Sequence, residues 1–406
     1  MSGIPHDGPL SGVRVLDLGS SWAGPFTGMI LADLGADVIK VESSTKIDIL
    51  RIAGAFADDV RDVERSGWYT SCNRGKRSLA LDLKSDEGKE VLRDLVAVSD
   101  VLIENFAPRV MPGLGFDYAA LSARNPGLVM VSMSGYGSTG PQRHYVSYGD
   151  HLMQSAGLAA QTGAAGDPPT MIGTFYGDPV GGLFGTVGLL AALEESGRTG
   201  RGSWLDLSQL EALVAMQPTE FVRTALGEAV AKTADGSDRG VPHGFFRGRG
   251  PDAWVALSVR TDAEWAALRD ALRSDGSDVG DFETLAERRA AEPEISEAVT
   301  RWAAARSPWD VAVRLQALGI AAHPVADAPG LLRDAQLRSR DFFQWVDRPV
   351  SGPDIIPGVT LRVADDGARV RGRAPLLGEH SREIVVGLFG RSPEEFERLL
   401  ADGAIA

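Results

Sequence analysis

The chain is nearly without cysteine. Its one thiol, Cys72, excludes an intrachain disulfide and fits a reducing compartment, so a cytoplasmic protein is expected. Histidine is also scarce. The six, at positions 6, 144, 151, 243, 323 and 380, form no H-E-x-x-H and no Cys/His ligand spacing, so no metal is expected. Positive charge is in deficit, with 41 Lys+Arg against 55 Asp+Glu and a net charge of −14. That balance argues against a general binder of nucleic acid or anionic membrane, but leaves room for a local site for an anionic ligand. There is no long hydrophobic run. The richest, PVGGLFGTVGLLAAL (179–193), is too short to span a bilayer and is closed by Glu194 and Glu195, so it reads as a buried helix. The N-terminal MSGIPHDGPLSG has neither a basic region nor an apolar core, and no signal peptide is expected. Fixed-period repeats, low-complexity tracts and a G-x-S-x-G elbow are missing too.

What is present is alternation. VRVLDL (13–18), ADVIKVE (36–42), SLALDL (78–83), DVLIEN (100–105) and LVMVSMS (128–134) are short, nearly continuous apolar runs, as in strands buried on both faces. Helix-like segments separate them. AGPFTGMILADLG has Pro25 near its start and Gly35 at its end; Ser85 opens another whose Val91, Leu92, Leu95 and Val96 form one stripe. The pattern predicts an α/β fold with a mainly parallel, doubly wound sheet. A long helix is expected from Asp178 to about Glu195, then a strand in SWLDLS (203–208) and a helix in LEALVAM. The segment 226–244 reads as a linker or exposed loop. A strand at AWVALSV (253–259) and helices at 262–273, 280–306 and 308–318 suggest a smaller α/β domain. The tail returns to strand at VTLRVAD and ends in two amphipathic helices. The expected division is 1–224 and 326–406 for the large domain and 225–325 for the small one.

Two phosphate motifs fail on inspection. GYGSTG (135–140) matches G-x-G-x-x-G, but Pro141 and a polar stretch follow where a helix must begin, so it reads as a glycine-rich turn. GSSWAGPF (19–26) has P-loop glycine spacing with Pro25 in the lysine position. NRGKRS (73–78) clusters Arg74, Lys76 and Arg77, either as a solvated loop or as a landing site for phosphates. Asp178, in GTFYGDPVGG, has a simple reading as a helix cap before Pro179. Two features pull away from it. Gly177, Gly181 and Gly185 recur every four residues, so another backbone or a ligand must come close to that face. The helix N-terminus would also hold the carboxylate ionised, and an ionised carboxylate in a tight site can be a nucleophile.

Several ordered stretches together resemble one family. LSGVRVLDLGSSWAGPFTGMILADLGADVIKVE, NRGKRSLALDLKSDEGK, VLIENFAPRVMPGLGFDYAALSARNPGLVMVSMSGYG, GDPVGG with GLLAALEESGRTGRG, and PLLGEHSREIV are similar to family III CoA-transferases. This CaiB/BaiF-type group includes formyl-CoA transferase, carnitine CoA-transferase and the α-methylacyl-CoA racemases. The likeness is close over 10–215, moderate over 340–400 and weak over 225–325. It implies a Rossmann-like large domain built from both chain ends, a smaller α/β domain, and an interlocked homodimer. It implies coenzyme A and acyl-CoA as substrates, no metal, and the aspartate of the GD element, Asp178, as catalytic nucleophile. Carried over by motif, the CoA contacts are Trp22, Ala23, Leu81, Lys84, Asn105, Phe106, Ser134, Gly135 and Tyr136. Ser43 and Gly113 stand where relatives have arginine; Arg109 or the Arg74–Arg77 cluster could supply that charge. A glycine-rich loop that some relatives carry in the small domain is not evident.

The implied reaction moves CoA from an acyl-CoA to a carboxylic acid through an aspartyl anhydride and an aspartyl-CoA thioester. Two alternatives stand beside it. A racemase exchanges an α-proton between two bases, normally the GD aspartate and a histidine upstream. In SYGDHL (147–152) Gly149 occupies that histidine's position and His151 lies two residues on, pointing elsewhere. The other is a non-catalytic CoA-binding homologue in which Asp178 only caps.

Overall fold

A computed structural model describes residues 7–163, 166–228, 232, 240–364 and 367–406. Six short strands form one sheet: β1 (Arg14–Asp17), β2 (Asp37–Glu42), β3 (Arg77–Ala80), β4 (Val101–Glu104), β5 (Val129–Ser132) and β6 (Trp204–Asp206). Their order is β3-β2-β1-β4-β5-β6, and every neighbouring pair is parallel. Strand order therefore reverses between β1 and β4, which opens a crevice outside their carboxyl ends.

The near-continuous apolar strands follow from burial on both faces. Leu16, Ile39, Leu79, Leu102 and Met130 point to one side, onto Val91, Leu92, Leu95 and Val96 of the Asp86–Ala97 helix. Val15, Val38, Val101, Ile103, Val129 and Val131 point to the other, with Leu31 of the Ala23–Asp33 helix and Leu189 of the Gly177–Thr199 helix. Alternation of period two thus sorts side chains of one composition between two cores. The C-terminal segment joins the first core through Ile384, Val385, Phe396 and Leu399.

The chain divides into two compact units. The first comprises 1–159, 171–228 and 336–406, with the six-stranded sheet and the antiparallel pair β10 (Phe343–Arg348) and β11 (Gly352–Pro357). The second comprises 160–170 and 229–335. It has an antiparallel sheet of β7 (His243–Arg247), β8 (Trp254–Ser258) and β9 (Ala321–Pro324). One face of that sheet, with Phe246, Val255, Leu257 and Ala322, packs on Trp265, Leu268, Val299, Trp302 and Leu315 of its helices.

Local expectations need three corrections. The stretch 280–306 is two helices, Leu285–Ala290 and Glu292–Ala304, because Thr284 caps the first and Pro293 starts the second. Within VTLRVAD the described residues 359–364 are not strand; the antiparallel pair precedes them. The long helix begins at Gly177, one residue before Asp178, so Asp178 lies in the first turn and is not the cap. Most of the expected linker, 229–231 and 233–239, lies outside the described residues, and His243 at its end is already in β7.

Candidate functional site

The first unit holds a cavity of about 180 Å³ at the β1/β4 crevice. Loops leaving three strands line it: Ser20 and Ser21 after β1, Asn105 to Pro108 after β4, and Ser134 to Tyr136 after β5. The segment Tyr145–Gly149, Leu152, Asp178 and Gln209 complete the wall.

Asp178 reaches this wall because two helix starts converge. The Ala23–Asp33 and Gly177–Thr199 helices pack directly against each other at glycine. A Cβ at Gly182 would lie 3.1 Å from the Ala23 carbonyl oxygen and 3.0 Å from Phe26 Cδ1, and one at Gly185 would lie 2.5 Å from Met133 Sδ. Thr27 seals the contact by donating its hydroxyl to the carbonyls of Gly182 (3.0 Å) and Ala23 (3.1 Å). At Gly181 the neighbour is Gln209, whose Cγ would be 2.8 Å from a Cβ. The glycine face therefore admits another helix and a packed side chain, not a ligand.

The backbone N–H groups of Ala23, at the start of the neighbouring helix, and of Asp178 itself favour the ionised carboxylate. Burial nevertheless dominates. It pushes the carboxyl up from 3.8 to about 6, with the Asp150 charge adding to the rise and the two N–H groups opposing it. The expectation that the helix N-terminus holds the carboxylate ionised thus meets an opposing effect. Desolvation outweighs the donors, although the group is still mostly ionised at neutral pH.

Gly149 faces the carboxylate. A Cβ there would lie 2.1 Å from Asp178 Oδ2 and 2.9 Å from Phe175 Cβ, so only glycine leaves the carboxylate its place. His151 sits two residues along the same helix with its side chain 58% exposed and Nδ1 3.2 Å from Asp150. It does not line the cavity, and no other histidine among the described residues does.

The other residues singled out in the sequence separate into groups. Asn105, Phe106, Ser134, Gly135 and Tyr136 all line the cavity. The Asn105 amide is already engaged, accepting Ser20 N–H (2.8 Å) and donating to Ser20 carbonyl (2.7 Å), so it braces the β1 loop. Phe106 is fixed through its N–H, which donates to Glu104 at 2.8 Å. Burial pushes the Glu104 carboxyl up to about 7, and the Asp206 charge adds to it. Tyr136 stacks edge-on against Tyr145 at 5.9 Å. Ala23 is buried and acts through its backbone. Trp22 packs edge-on against Phe175 at 6.2 Å behind the wall. Leu81 and Lys84 follow β3, the far edge of the sheet, with Leu81 in the core and Lys84 exposed; neither lines the cavity.

The Arg74–Arg77 cluster is neither solvated nor free for phosphate. Arg74 forms a two-pronged pair with Asp33 (3.0 and 2.6 Å), and Arg77 does the same with Asp37 (2.9 and 2.6 Å). Lys76, fully buried, donates to Asp17 (2.7 Å), Asn73 (2.8 Å) and the Pro25 carbonyl (2.7 Å). Asp17 in turn accepts Gly19 N–H at 2.9 Å, and Lys40 donates to the Gly19 carbonyl. The cations thus brace the β1 loop from beneath. Arg109 is exposed and outside the cavity wall. The one cation on the described wall is Arg143, anchored by the Gly140 carbonyl at 3.1 Å. Neither Arg143 nor Gln209 carried a motif that would single it out. Among the described residues no group of acids, histidines or cysteines could hold a metal, and no helix is long and apolar enough to cross a membrane.

Known proteins resemble this chain in sequence and in fold. The chain is 32% identical over 394 residues to the succinyl-CoA–L-malate CoA-transferase alpha subunit of Chloroflexus aurantiacus, covering 96% of this chain and 91% of that one. It is 30% identical over 413 residues to a formyl-CoA:oxalate CoA-transferase of Streptomyces avermitilis, covering 98% and 99%. The crystal structure of a CaiB/BaiF family protein from Brucella suis superposes with a TM-score of 0.85 at 27% identity, over 94% of this chain and all of that one. The model of CoA-transferase family III matches residues 10–381, and the chain belongs to that family.

Proposed function

We propose that the protein moves CoA from an acyl-CoA donor to a carboxylic acid acceptor, with Asp178 as nucleophile. The observation that carries this reading is the placement of the Asp178 carboxylate. It lies on a cavity wall at the switch point of a parallel sheet and faces the bare backbone of Gly149. Relatives named for succinyl-CoA–malate and formyl-CoA:oxalate transfer support the same class of reaction.

In this reading an Asp178 oxygen attacks the thioester carbonyl carbon, the C–S bond breaks, and CoA leaves as thiolate from an acyl–aspartyl anhydride. The thiolate then attacks the aspartyl carbonyl, expelling the donor acid as its carboxylate and leaving an aspartyl-CoA thioester. The acceptor carboxylate repeats the steps in reverse order, and Asp178 is released as carboxylate. No proton is consumed. A carboxyl raised to about 6 is a better nucleophile than an ordinary aspartate yet mostly ionised near pH 7. The Ala23 N–H, which favours the ionised carboxylate, would stabilise charge on the aspartyl oxygen in the tetrahedral steps. The loops at Asn105–Phe106 and Ser134–Tyr136 would hold the CoA arm, and Arg143 an anionic group. Leu81, Lys84 and Trp22 would contact CoA only beyond the cavity.

The racemase reading needs a second base, and Gly149 with the outward His151 speaks against it. A homodimer is part of the proposal. Leu183, Phe184 and Val187 on the Gly177–Thr199 helix are 52%, 43% and 68% exposed, as befits a surface that another chain covers.

The test is trapping. Incubation with acyl-CoA and hydroxylamine should convert Asp178 to its hydroxamate, read by peptide mass spectrometry, and Asp178→Ala should abolish transfer while retaining CoA binding. An unmodified Asp178 under turnover conditions sinks the nucleophile assignment. Deuterium wash-in at the acyl α-carbon would favour the racemase instead.

A further inference from the structure

Three polar side chains stand in one row across the carboxyl end of the six-stranded sheet. Glu104 of β4 is in register with Ser132 of β5, and Ser132 with Asp206 of β6, so all three point to the same face. That face also carries Leu102 and Met130, over an apolar core that includes Met111 and Phe116. Glu104 is only 5% exposed. Its carboxylate accepts the Phe106 N–H at 2.8 Å and so fixes the backbone of a loop that lines the cavity. Asp206 accepts the Ser138 N–H at 2.9 Å, in the loop after β5. The Ser132 hydroxyl between them accepts Trp204 Nε1–H at 2.9 Å. On the other side the end of β1 brings the apolar Leu18, whose N–H donates to the Ile103 carbonyl at 2.9 Å. Burial pushes the Glu104 carboxyl up to about 7; the Asp206 charge adds to the rise, and the Ser132 hydroxyl and the Phe106 N–H oppose it. A carboxyl that changes charge near neutral pH is therefore built into the support of a cavity loop, and the transfer chemistry makes no use of it.

We propose that Glu104 is a positioning residue for CoA binding: as a carboxylate it holds the Phe106 N–H and with it the β4 loop, and on protonation that hold slackens and CoA binds more weakly. The inference rests on the reading of this cavity as the CoA site, not on Asp178 as nucleophile. A carboxylate accepts an N–H about twice as strongly as a neutral oxygen does, and a carboxylic acid offers only the latter. Asn105 and Phe106 follow Glu104 directly and both line the cavity, so slack at the Phe106 N–H passes into the wall. It passes further through the Asn105 amide, which is tied to the Ser20 N–H and carbonyl on the β1 loop. The coupling is reciprocal: a fold that binds CoA better with Glu104 ionised gives up that proton when CoA binds. Affinity is therefore highest above the titration of Glu104 and falls as pH drops through about 7.

The experiment measures the dissociation constant of CoA by titration calorimetry at several values between pH 5.5 and 8.5. It uses the full-length Asp178→Asn protein, which lacks the other carboxyl of the wall that titrates in this range. Affinity should fall about three- to ten-fold from the alkaline to the acid end, on top of the titration of the phosphate of CoA itself. Adding Glu104→Gln, which keeps an acceptor oxygen but cannot ionise, should hold binding at the weaker level throughout, so that only the titration of the ligand remains. Asp206→Asn, an exposed change that still lets the side chain accept the Ser138 N–H, should move the midpoint to lower pH; it decides alone if Glu104→Gln does not fold. A step that survives Glu104→Gln, tight binding by Glu104→Gln at every pH, or a midpoint that stays or rises with Asp206→Asn overturns the inference. CoA binding without any such step defeats this inference only; absence of CoA binding defeats the reading of the cavity as the CoA site and this inference with it.

Discussion

The raised Asp178 carboxyl makes a prediction in stability that does not depend on knowing the substrates. Asp178→Asn removes the ionisable group while keeping an amide oxygen that can accept the Ala23 N–H. In the unfolded chain the carboxyl titrates near 3.8; in the fold burial pushes it to about 6. Above pH 6 both states are ionised, and the fold bears the full cost of burying the charge. Below pH 4 both are protonated and the cost vanishes. Stability associated with this group is therefore present at low pH and lost as pH rises through about 6. Each tenfold in proton affinity is ~1.4 kcal/mol, so the rise sets a ceiling of about 3 kcal/mol. A neutral amide oxygen accepts a weaker hydrogen bond than a carboxylate, which brings the expected gain down to about 1–3 kcal/mol.

The assay is urea unfolding of both proteins, without CoA and at one protein concentration, at several values between pH 4 and 8. The variant should be the more stable at pH 8, and the two should converge toward pH 4. Glu104, also raised by burial, titrates in both proteins and cancels in the difference. A pH-independent difference, or a less stable variant at pH 8, refutes the claim that Asp178 is held in the fold at a cost. In the active enzyme the same group should give kcat/KM an acid limb near pH 6.

Two further substitutions test the frame around the carboxylate. Gly149→Ala puts a methyl 2.1 Å from Asp178 Oδ2; the carboxylate should rotate away, the fold should persist by circular dichroism, and transfer should fall about 100-fold. Retained activity would mean that the carboxylate position is not critical. Lys76→Met leaves buried Asp17 with only the more distant Lys40, 3.9 Å away, as a cationic partner and should cost about 3 kcal/mol in urea unfolding, with CoA affinity of the folded protein little changed; a selective loss of CoA affinity would return the cluster to a phosphate role.

How much of this was legible in the sequence differs by length scale. The five apolar runs could be read because a strand buried on both faces has only one way to look, and the six-stranded parallel sheet contains all of them. β7 and β9 escaped notice. HGFFR and AAHP are short, and each presents its core to one face only through a residue or two, Phe246 and Ala322. The break at Ala291 inside 280–306 was written in Thr284, Glu287 and Pro293, a capping box followed by a proline, but helical periodicity on both sides masked it. For the site, motif spacing picked out the loops that reach the cavity. It misjudged the cations. A run such as NRGKRS looks solvated because the partners of Arg74, Lys76 and Arg77 lie at Asp33, Asp17 and Asp37, on other strands and helices. Charge pairing across a fold leaves no local pattern, and for the same reason Arg143 and Gln209 could not be told from ordinary surface or helix residues.

The glycines tie these observations into one argument. A helix carrying glycine at 177, 181, 182 and 185 gives up intrinsic stability, about 0.5–1 kcal/mol at each interior position relative to alanine. What that cost obtains is proximity. Side chains at 182 and 185 would push the Ala23–Asp33 helix and Met133 away, and the Ala23 N–H would no longer reach the Asp178 carboxylate. A side chain at 181 would displace Gln209 from the wall, and one at 149 would displace the carboxylate itself. The glycines therefore clear space for different parts of the same wall. Substituting them one at a time by alanine should consequently separate the two halves of the site. Gly182, which packs on the Ala23–Asp33 helix, should act through the nucleophile and lower kcat strongly, whereas Gly181, which packs on the Gln209 side chain, should lower it less. If Gly181→Ala and Gly182→Ala instead lower kcat to the same extent, the cavity responds as one packed unit and the separate roles of the two glycines are wrong.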